Sequence, residues 1–101
     1  MMSEAKRNFD RLLVESITEG LTKVLGDNNA KCVIFYADPK MAVADPDNYA
    51  RSLLGLFGMG TKVMLDTILD SLHQKTGVAR SAATSFGESV ADARLNFTQS
   101  R

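Results

Sequence analysis

The sequence predicts an all-α fold, a compact bundle of four helices with a fifth helix at the C-terminus. Three observations lead to this prediction. Apolar residues recur at spacings of three and four in several segments, as on one face of a helix. Glycine or proline residues separate those segments. The chain has 101 residues, 45% of them apolar and 24% charged, which is the composition of one soluble domain with one core.

The first helix is predicted over Asn8–Leu25. Asn8 is a suitable N-cap, because its side-chain oxygen accepts hydrogen bonds from free amides of the first turn. Gly26 is placed to end the helix. The apolar stripe consists of Phe9, Leu12, Leu13, Ile17, Leu21 and Val24.

Two small residues, Ser16 and Gly20, lie four apart on or beside this stripe. They either form a spot of lower helix propensity or a groove where a second helix approaches closely. A glycine inside a helix costs about 1 kcal/mol relative to alanine, so the groove would be its compensation.

The run from Lys31 to Tyr36 is rich in β-branched and aromatic residues, which by itself is typical of a buried strand. Nothing else in the chain offers a strand partner, and an isolated strand is unstable. We therefore predict a short helix over residues 29–37 that stops near Asp38, because the residue before a proline disfavours helix. Pro39–Ala44 is predicted to be a linker, with the apolar side chains of Met41 and Val43 packed into the core.

The third helix starts at Asp45-Pro46-Asp47, since Asp45 is a cap and Pro46 suits the first helical position. Its apolar face ends at Phe57, and Gly58-Met59-Gly60 breaks the segment. A fourth helix follows over Thr61–Thr76, with a stripe broad enough for a central position, and Gly77 stops it. The methionines at 41, 59 and 64 are expected to fill the core.

Small polar residues dominate the end of the chain, although Phe86, Val90, Ala93 and Phe97 fall at helical spacing. That spacing predicts a weakly amphipathic helix over residues 85–97. We expect this helix either to dock loosely or to fold only with a partner. The predicted organisation is a flexible N-terminus (1–7), a helical domain (8–77) and a polar tail or loosely docked helix (78–101).

The charge balance limits the classes of partner that the sequence predicts. Twelve basic and twelve acidic residues give a net charge of zero, which argues against bulk nucleic acid or an anionic membrane as a ligand. No apolar run near 18 residues is evident, so no membrane span is expected. The single cysteine, Cys32, is expected to be a buried, inert thiol. We expect a cytoplasmic protein without cofactor or metal.

The junction between the third and fourth helices is the most informative segment. It resembles the helix-hairpin-helix motif of DNA-repair and replication proteins, in which backbone amides at a glycine hairpin grip a phosphate. Gly58, Gly60, Thr61 and Lys62 are the candidate binding residues. The following helix departs from the motif, with Met64 at a position for a small residue and acidic Asp66 and Asp70. The alternative is a tight turn whose glycines serve packing.

Two further patterns resemble known sites. Asp66, Asp70 and His73 share one helix face, which a metal or acid–base site would use. Three ligands on one exposed helix, with no second His and no Cys nearby, make a weak site, so a solvated helix end is the favoured interpretation. Residues 55–62 imitate a phosphate-binding loop with Thr61 and Lys62 in exchanged order, so nucleotide hydrolysis is not predicted.

Residues 8–21 and 57–63, with the aromatic segment 33–36 between them, resemble the Nitrosopumilus output domain family, a small archaeal family. The resemblance covers residues 8–77. It implies a small all-helical domain that acts as a signalling or regulatory output, and it carries over no catalytic residue.

The function predicted from the sequence is a non-enzymatic regulatory or protein-interaction module, with a protein partner or a second copy of the chain as ligand. The alternative is binding of a nucleic-acid backbone through Gly58-Met59-Gly60, with Lys62 as the charged contact. A small-ligand or metal sensor around Asp66, Asp70 and His73 is the third hypothesis.

Overall fold

The computed structural model describes residues 4–80 and 85–99, and the described residues contain helices and turns but no strand. The all-α prediction is confirmed. Five helices have ten residues or more, matching the predicted four plus a fifth. The helices are α1 (Glu4–Leu25), α2 (Asp27–Tyr36), α3 (Met41–Ala44), α4 (Pro46–Phe57), α5 (Thr61–Thr76) and α6 (Phe86–Gln99), and the 3-10 turn Gly58–Gly60 joins α4 to α5.

Helices α1 and α5 form the centre of the bundle. Phe9, Leu13, Ile17 and Leu21 follow one another at four-residue spacing on α1, and all are fully buried. Gly20 packs against Ile68, so closely that a Cβ atom on the glycine would lie 2.6 Å from Ile68 Cγ1. The predicted groove for a second helix is confirmed.

Helix α2 confirms the choice of helix over strand. Ala30 and Val33 face the core together with Ala37, and the buried Tyr49 hydroxyl of α4 donates a hydrogen bond to the Ala37 carbonyl at 2.9 Å. Ile34 is partly buried against the same core, whereas the Phe35 and Tyr36 rings are exposed. Cys32 is exposed, so the expectation of a buried thiol is wrong.

Three local predictions are wrong. Helix α1 begins at Glu4, so Asn8 lies inside the helix and does not cap it. Residues 41–44 form helix α3 in place of a linker, because the Asp38 carboxylate accepts from the Lys40 amide at 3.0 Å and starts a turn that Pro39 continues. Met41 is 45% exposed, so the expectation that it fills the core is wrong.

The boundaries of α4 and α5 agree with the sequence. Asp45 Oδ1 accepts a hydrogen bond from the Asn48 amide at 3.1 Å, which is the predicted N-cap. The chain turns at Gly58, whose φ of 58° is strained for other residues. Gly77 ends α5 in the left-handed conformation.

Helix α6 packs on α1, α4 and α5. Phe86, Val90 and Ala93 are buried in the same core cluster as the α1 stripe. The Gly87 amide donates to Asp47 Oδ1 at 2.7 Å, and Arg94 forms an ion pair with Asp10 at 3.1 Å. Residues 81–84, 100 and 101 of the predicted polar tail, and residues 1–3 of the predicted flexible N-terminus, lie outside the described residues.

The stretch Pro46–Thr76 is long and apolar enough to cross a membrane by length and composition, and it is the one such stretch in the described part of the chain. Within the structure, 28% of the most apolar part of this stretch is buried. The turn at Gly58 divides this stretch into α4 and α5, and the Thr61 hydroxyl bonds back to the Leu53 carbonyl at 3.2 Å.

Candidate functional site

A cleft of about 780 Å³ lies between α4, α5 and the first turn of α6. It opens broadly to solvent. Its apolar lining comes from three helices and the glycine turn and consists of Ala50, Leu54, Met59, Leu65, Leu69 and Phe86. Leu54 is 55% exposed, so part of this lining is in contact with water. An open apolar cleft of this volume has the size of a ligand or peptide site.

Charged side chains surround the apolar lining. Lys62 Nζ lies 3.9 Å from Asp66 Oδ2, and Arg80 reaches the other Asp66 oxygen at 3.7 Å. The Asp47 carboxylate accepts a hydrogen bond from the Gly87 amide. Arg51 also lines the cleft, and it has no carboxylate partner among residues 4–80 and 85–99. Three cations and two carboxylates line the cleft, so its lining carries a small excess of positive charge beside an apolar surface.

Three of the four binding residues predicted from the sequence line this cleft. These are Gly58, Thr61 and Lys62, whereas Gly60 lies on the same turn but is not part of the lining. The Thr61 side chain is buried and its hydroxyl is engaged by Leu53. Lys62 is the exposed member of the set, with 85% of its side chain accessible.

The geometry needed for phosphate capture is present only in part. The Thr61 amide donates to the Gly58 carbonyl within the 3-10 turn, so it does not point freely at a ligand. Lys62 forms an ion pair with Asp66, and Asp66 forms a second ion pair with Arg80. Binding to a phosphate backbone depends on several free cations, and here carboxylates compensate two of the three cations that line the cleft.

Sequence reasoning missed the side of the cleft that α4 contributes. Asp47, Ala50, Arg51 and Leu54 recur at spacings of three and four, which places them on one face of the helix. That signal was visible in the sequence. Phe86 could not be assigned to the cleft, because it is about thirty residues away in the chain.

Exposed apolar side chains continue around the glycine turn. Met59 is 97% exposed, so the expectation that it fills the core is wrong. Leu56 and Val63, on either side of the turn, are 52% and 60% exposed. Between Arg51 and Asp66 the only charged residue is Lys62. Such a cluster of exposed apolar groups is typical of an interaction surface.

The acidic face of α5 forms ion pairs. Arg80 Nη1 lies 3.0 Å from Asp70 Oδ1, and His73 Nδ1 lies 2.8 Å from the Val78 carbonyl oxygen. Across the described ranges, no group of three His, Cys, Asp or Glu residues could hold a metal ion. The three side chains that suggested a metal site are thus engaged with residues 78 and 80.

Two side chains outside the cleft have shifted pKa values. Burial raises the pKa of the Tyr49 phenol, with a smaller contribution from the charge of Asp38. Hydrogen bonds from Lys75 and Ser71 lower the pKa of Glu19, which joins α1 to α5. Both groups connect helices, and neither faces the cleft.

The comparisons with known proteins identify no relative. No protein-family model matches the chain, no curated protein matches it, and no solved structure matches its fold. The resemblance to the Nitrosopumilus output domain family therefore stays a prediction, and any functional conclusion depends on the cleft.

Proposed function

We propose that this chain is a non-enzymatic protein-interaction module whose cleft receives an amphipathic helix of a partner protein. The apolar side of that helix packs on Leu54, Leu65 and Phe86. A carboxylate on its polar side pairs with Arg51. The observation that carries the proposal is this small excess of positive charge, which includes Arg51, beside an open apolar lining.

The shape and charge of the site support this class of ligand. An open cleft between helices suits an elongated ligand, and helices bind such grooves through apolar side chains at helical spacing. Electrostatic complementarity selects the acidic partner. The exposed Met59 adds an adaptable contact at the end of the cleft. The family resemblance, which implies a signalling output, agrees with a module that docks on other proteins.

Binding of a nucleic-acid backbone at the glycine turn is the alternative. The positions of Gly58 and Lys62 support this alternative. The ion pairs of Lys62 and Arg80 with Asp66 oppose it, because they compensate the positive charges that a phosphate needs. A membrane surface is a further competitor because of the apolar turn. Both are included as outcomes of the experiment below.

The experiment is a titration of the isotope-labelled chain, followed by amide chemical shifts. The probe is a synthetic amphipathic helix of Leu, Ala and Glu, and its twin has Lys at every Glu position. We expect the acidic helix to shift amides of residues 50–54 and 58–66, and the basic twin to shift them far less. Arg51→Glu should reverse this preference.

Arg11→Glu is the matched control, since Arg11 is an exposed helix arginine that pairs with Glu15 away from the cleft. It should leave the titration unchanged. Equal binding of both helices, or shifts confined to other helices, would contradict the proposal.

Two competitor ligands complete the test. A DNA duplex that shifts residues 58–62, with a steep loss on added salt and in Gly60→Asp, would replace the proposal by the nucleic-acid alternative. Vesicles of phosphatidylcholine and phosphatidylserine that bind the chain while the peptide does not would assign the surface to lipid.

A further inference from the structure

A second surface lies on the outer face of α2, and the proposed function does not use it. Phe35 is 84% exposed and Tyr36 is 77% exposed. Their rings contact each other edge to face, with centroids 5.6 Å apart and planes at 84°. Cys32, one turn earlier, is also exposed. Aromatic residues are enriched where partners bind. Two neighbouring rings exposed to water therefore mark this surface as a candidate interface.

The inner face of α2 explains why these rings stay outside. Ala30, Val33 and Ala37 are buried in the contact with the core, and Ile34 is partly buried against it. Phe35 and Tyr36 lie outside this contact, so the aromatic pair contributes little to the packing of its own domain.

The charged residues nearest to the rings on either side in the sequence, Lys31 and Asp38, have opposite signs. Lys31 lies four residues before Phe35, and Asp38 lies three residues after it, and both are exposed. A two-fold axis near Phe35, with the two helices antiparallel, brings Lys31 of one copy towards Asp38 of the other, twice. A surface with this arrangement is complementary to itself, as a two-fold interface requires.

We propose that the α2 face, defined as Lys31, Cys32, Phe35, Tyr36 and Asp38, pairs with the same face of a second copy of this chain. The four rings that meet would hide on the order of 600 Å² of surface. Specific interfaces start near 1,000 Å², so the flanking residues must supply the remainder and the dimer belongs to the weak class. It therefore dissociates on dilution.

The first test is sedimentation velocity over a wide range of protein concentration. The unmodified chain should shift from monomer towards dimer as the concentration rises. Phe35→Asp should stay monomeric. Met59→Asp removes a more exposed apolar side chain at the glycine turn, and it should dimerise like the unmodified chain. Thermal unfolding curves of both variants, recorded by circular dichroism, show whether each variant is folded.

Charge exchange tests the pairing itself. Lys31→Glu and Asp38→Lys should each weaken the dimer, since each places like charges together. The double variant should restore it. In the same samples, a bifunctional maleimide on Cys32, the single cysteine of the chain, should link two chains in the unmodified protein and not in Phe35→Asp.

The contradicting results are specific. A chain that is monomeric at every concentration overturns the inference, and so does a dimer that survives Phe35→Asp but is lost in Met59→Asp. Flotation of the monomer with phosphatidylcholine vesicles, lost in Phe35→Asp, would assign the rings to lipid. Lys31, Phe35 and Asp38 do not line the cleft, so the results for their variants leave the peptide titration unaffected and the two proposals fail separately.

Discussion

Gly20 lies against Ile68 where α1 contacts α5, and the absence of a side chain permits that contact. A Cβ atom at this position would also lie 3.0 Å from backbone atoms of Ile68, which cannot move as freely as a side-chain tip. We expect Gly20→Ala to lower the free energy of unfolding by about 1–3 kcal/mol through overpacking, despite its better helix propensity.

Gly55 provides the matched control. It lies inside α4 with open space around it, so alanine meets nothing within 4 Å. Gly55→Ala should raise the free energy of unfolding by up to about 1 kcal/mol through helix propensity. Denaturation in urea measures both variants. Equal effects of the two substitutions would show that α1 and α5 are not in close contact.

Tyr49 gives the fold a dependence on alkaline pH. Its buried hydroxyl donates to the Ala37 carbonyl, and burial raises its pKa above the ordinary value of about 10. The folded state therefore favours the protonated phenol. The contribution of Tyr49 is complete below pH 10, and it is lost progressively as the pH rises above that value.

Tyr49→Phe should cost about 1–2 kcal/mol at pH 7, because the Ala37 carbonyl loses its hydrogen bond. The variant should also lose less stability than the unmodified chain between pH 10 and 12. Tyr36→Phe is the control, since Tyr36 is exposed and should change stability by less than about 0.5 kcal/mol. Thermal unfolding at a series of pH values distinguishes the two, and parallel pH curves for all three proteins would contradict the assignment.

At the scale of the element, the first turn of α6 depends on a carboxylate of another helix. Asp47 belongs to the first turn of α4, and its Oδ1 accepts from the Gly87 amide in the first turn of α6. An unpaired amide at a helix start is costly when it is partly buried. We expect Asp47→Ala to increase amide hydrogen exchange in residues 86–99 by about tenfold, equivalent to roughly 1.4 kcal/mol.

Asp47→Asn is the conservative comparison, because its amide oxygen still accepts the hydrogen bond. Its exchange rates in α6 should stay near those of the unmodified chain, and residues 9–21 of α1 should be unaffected in both variants. Faster exchange throughout the bundle in Asp47→Ala would show that α6 is not a locally controlled element.

The elements also show where reasoning from sequence succeeds. The ends of α4 and α5 were predicted at Asp45, Phe57 and Gly77 because caps and stop signals act within a few residues. The start of α1 was missed, since Glu4–Arg7 has no apolar stripe and its helix extends from the stable segment that follows. Helix α3 was missed because four residues are too few to show a period.

At the scale of the whole molecule, the buried residues of α1, α2, α4, α5 and α6 form one core cluster. A domain with one core unfolds as a unit. We expect a single thermal transition, with circular dichroism at 222 nm and the near-ultraviolet signal of Tyr49 changing together. A separate early loss of helix signal, with the Tyr49 signal retained, would show that α6 unfolds before the rest.

The candidate site was predicted in part at this scale. Gly58, Thr61 and Lys62 were identified because a glycine turn between two helices is a local feature. Phe86, Ser89 and Arg80 complete the cleft through tertiary packing, and no local pattern links them to the turn. The ion pairs of Asp66 with Lys62 and Arg80, which weaken the case for phosphate binding, also include one partner from outside the helix.

The sequence by itself determined that this chain is helical and where most of its helices begin and end, because periodicity, caps and glycines act over a few residues. Only the tertiary structure decided which apolar residues face water. Val33 and Phe35 are two positions apart in one apolar run, and one is buried while the other is 84% exposed. The difference depends on where α1 lies relative to α2, which is a property of the packed molecule and therefore cannot be deduced from the run itself.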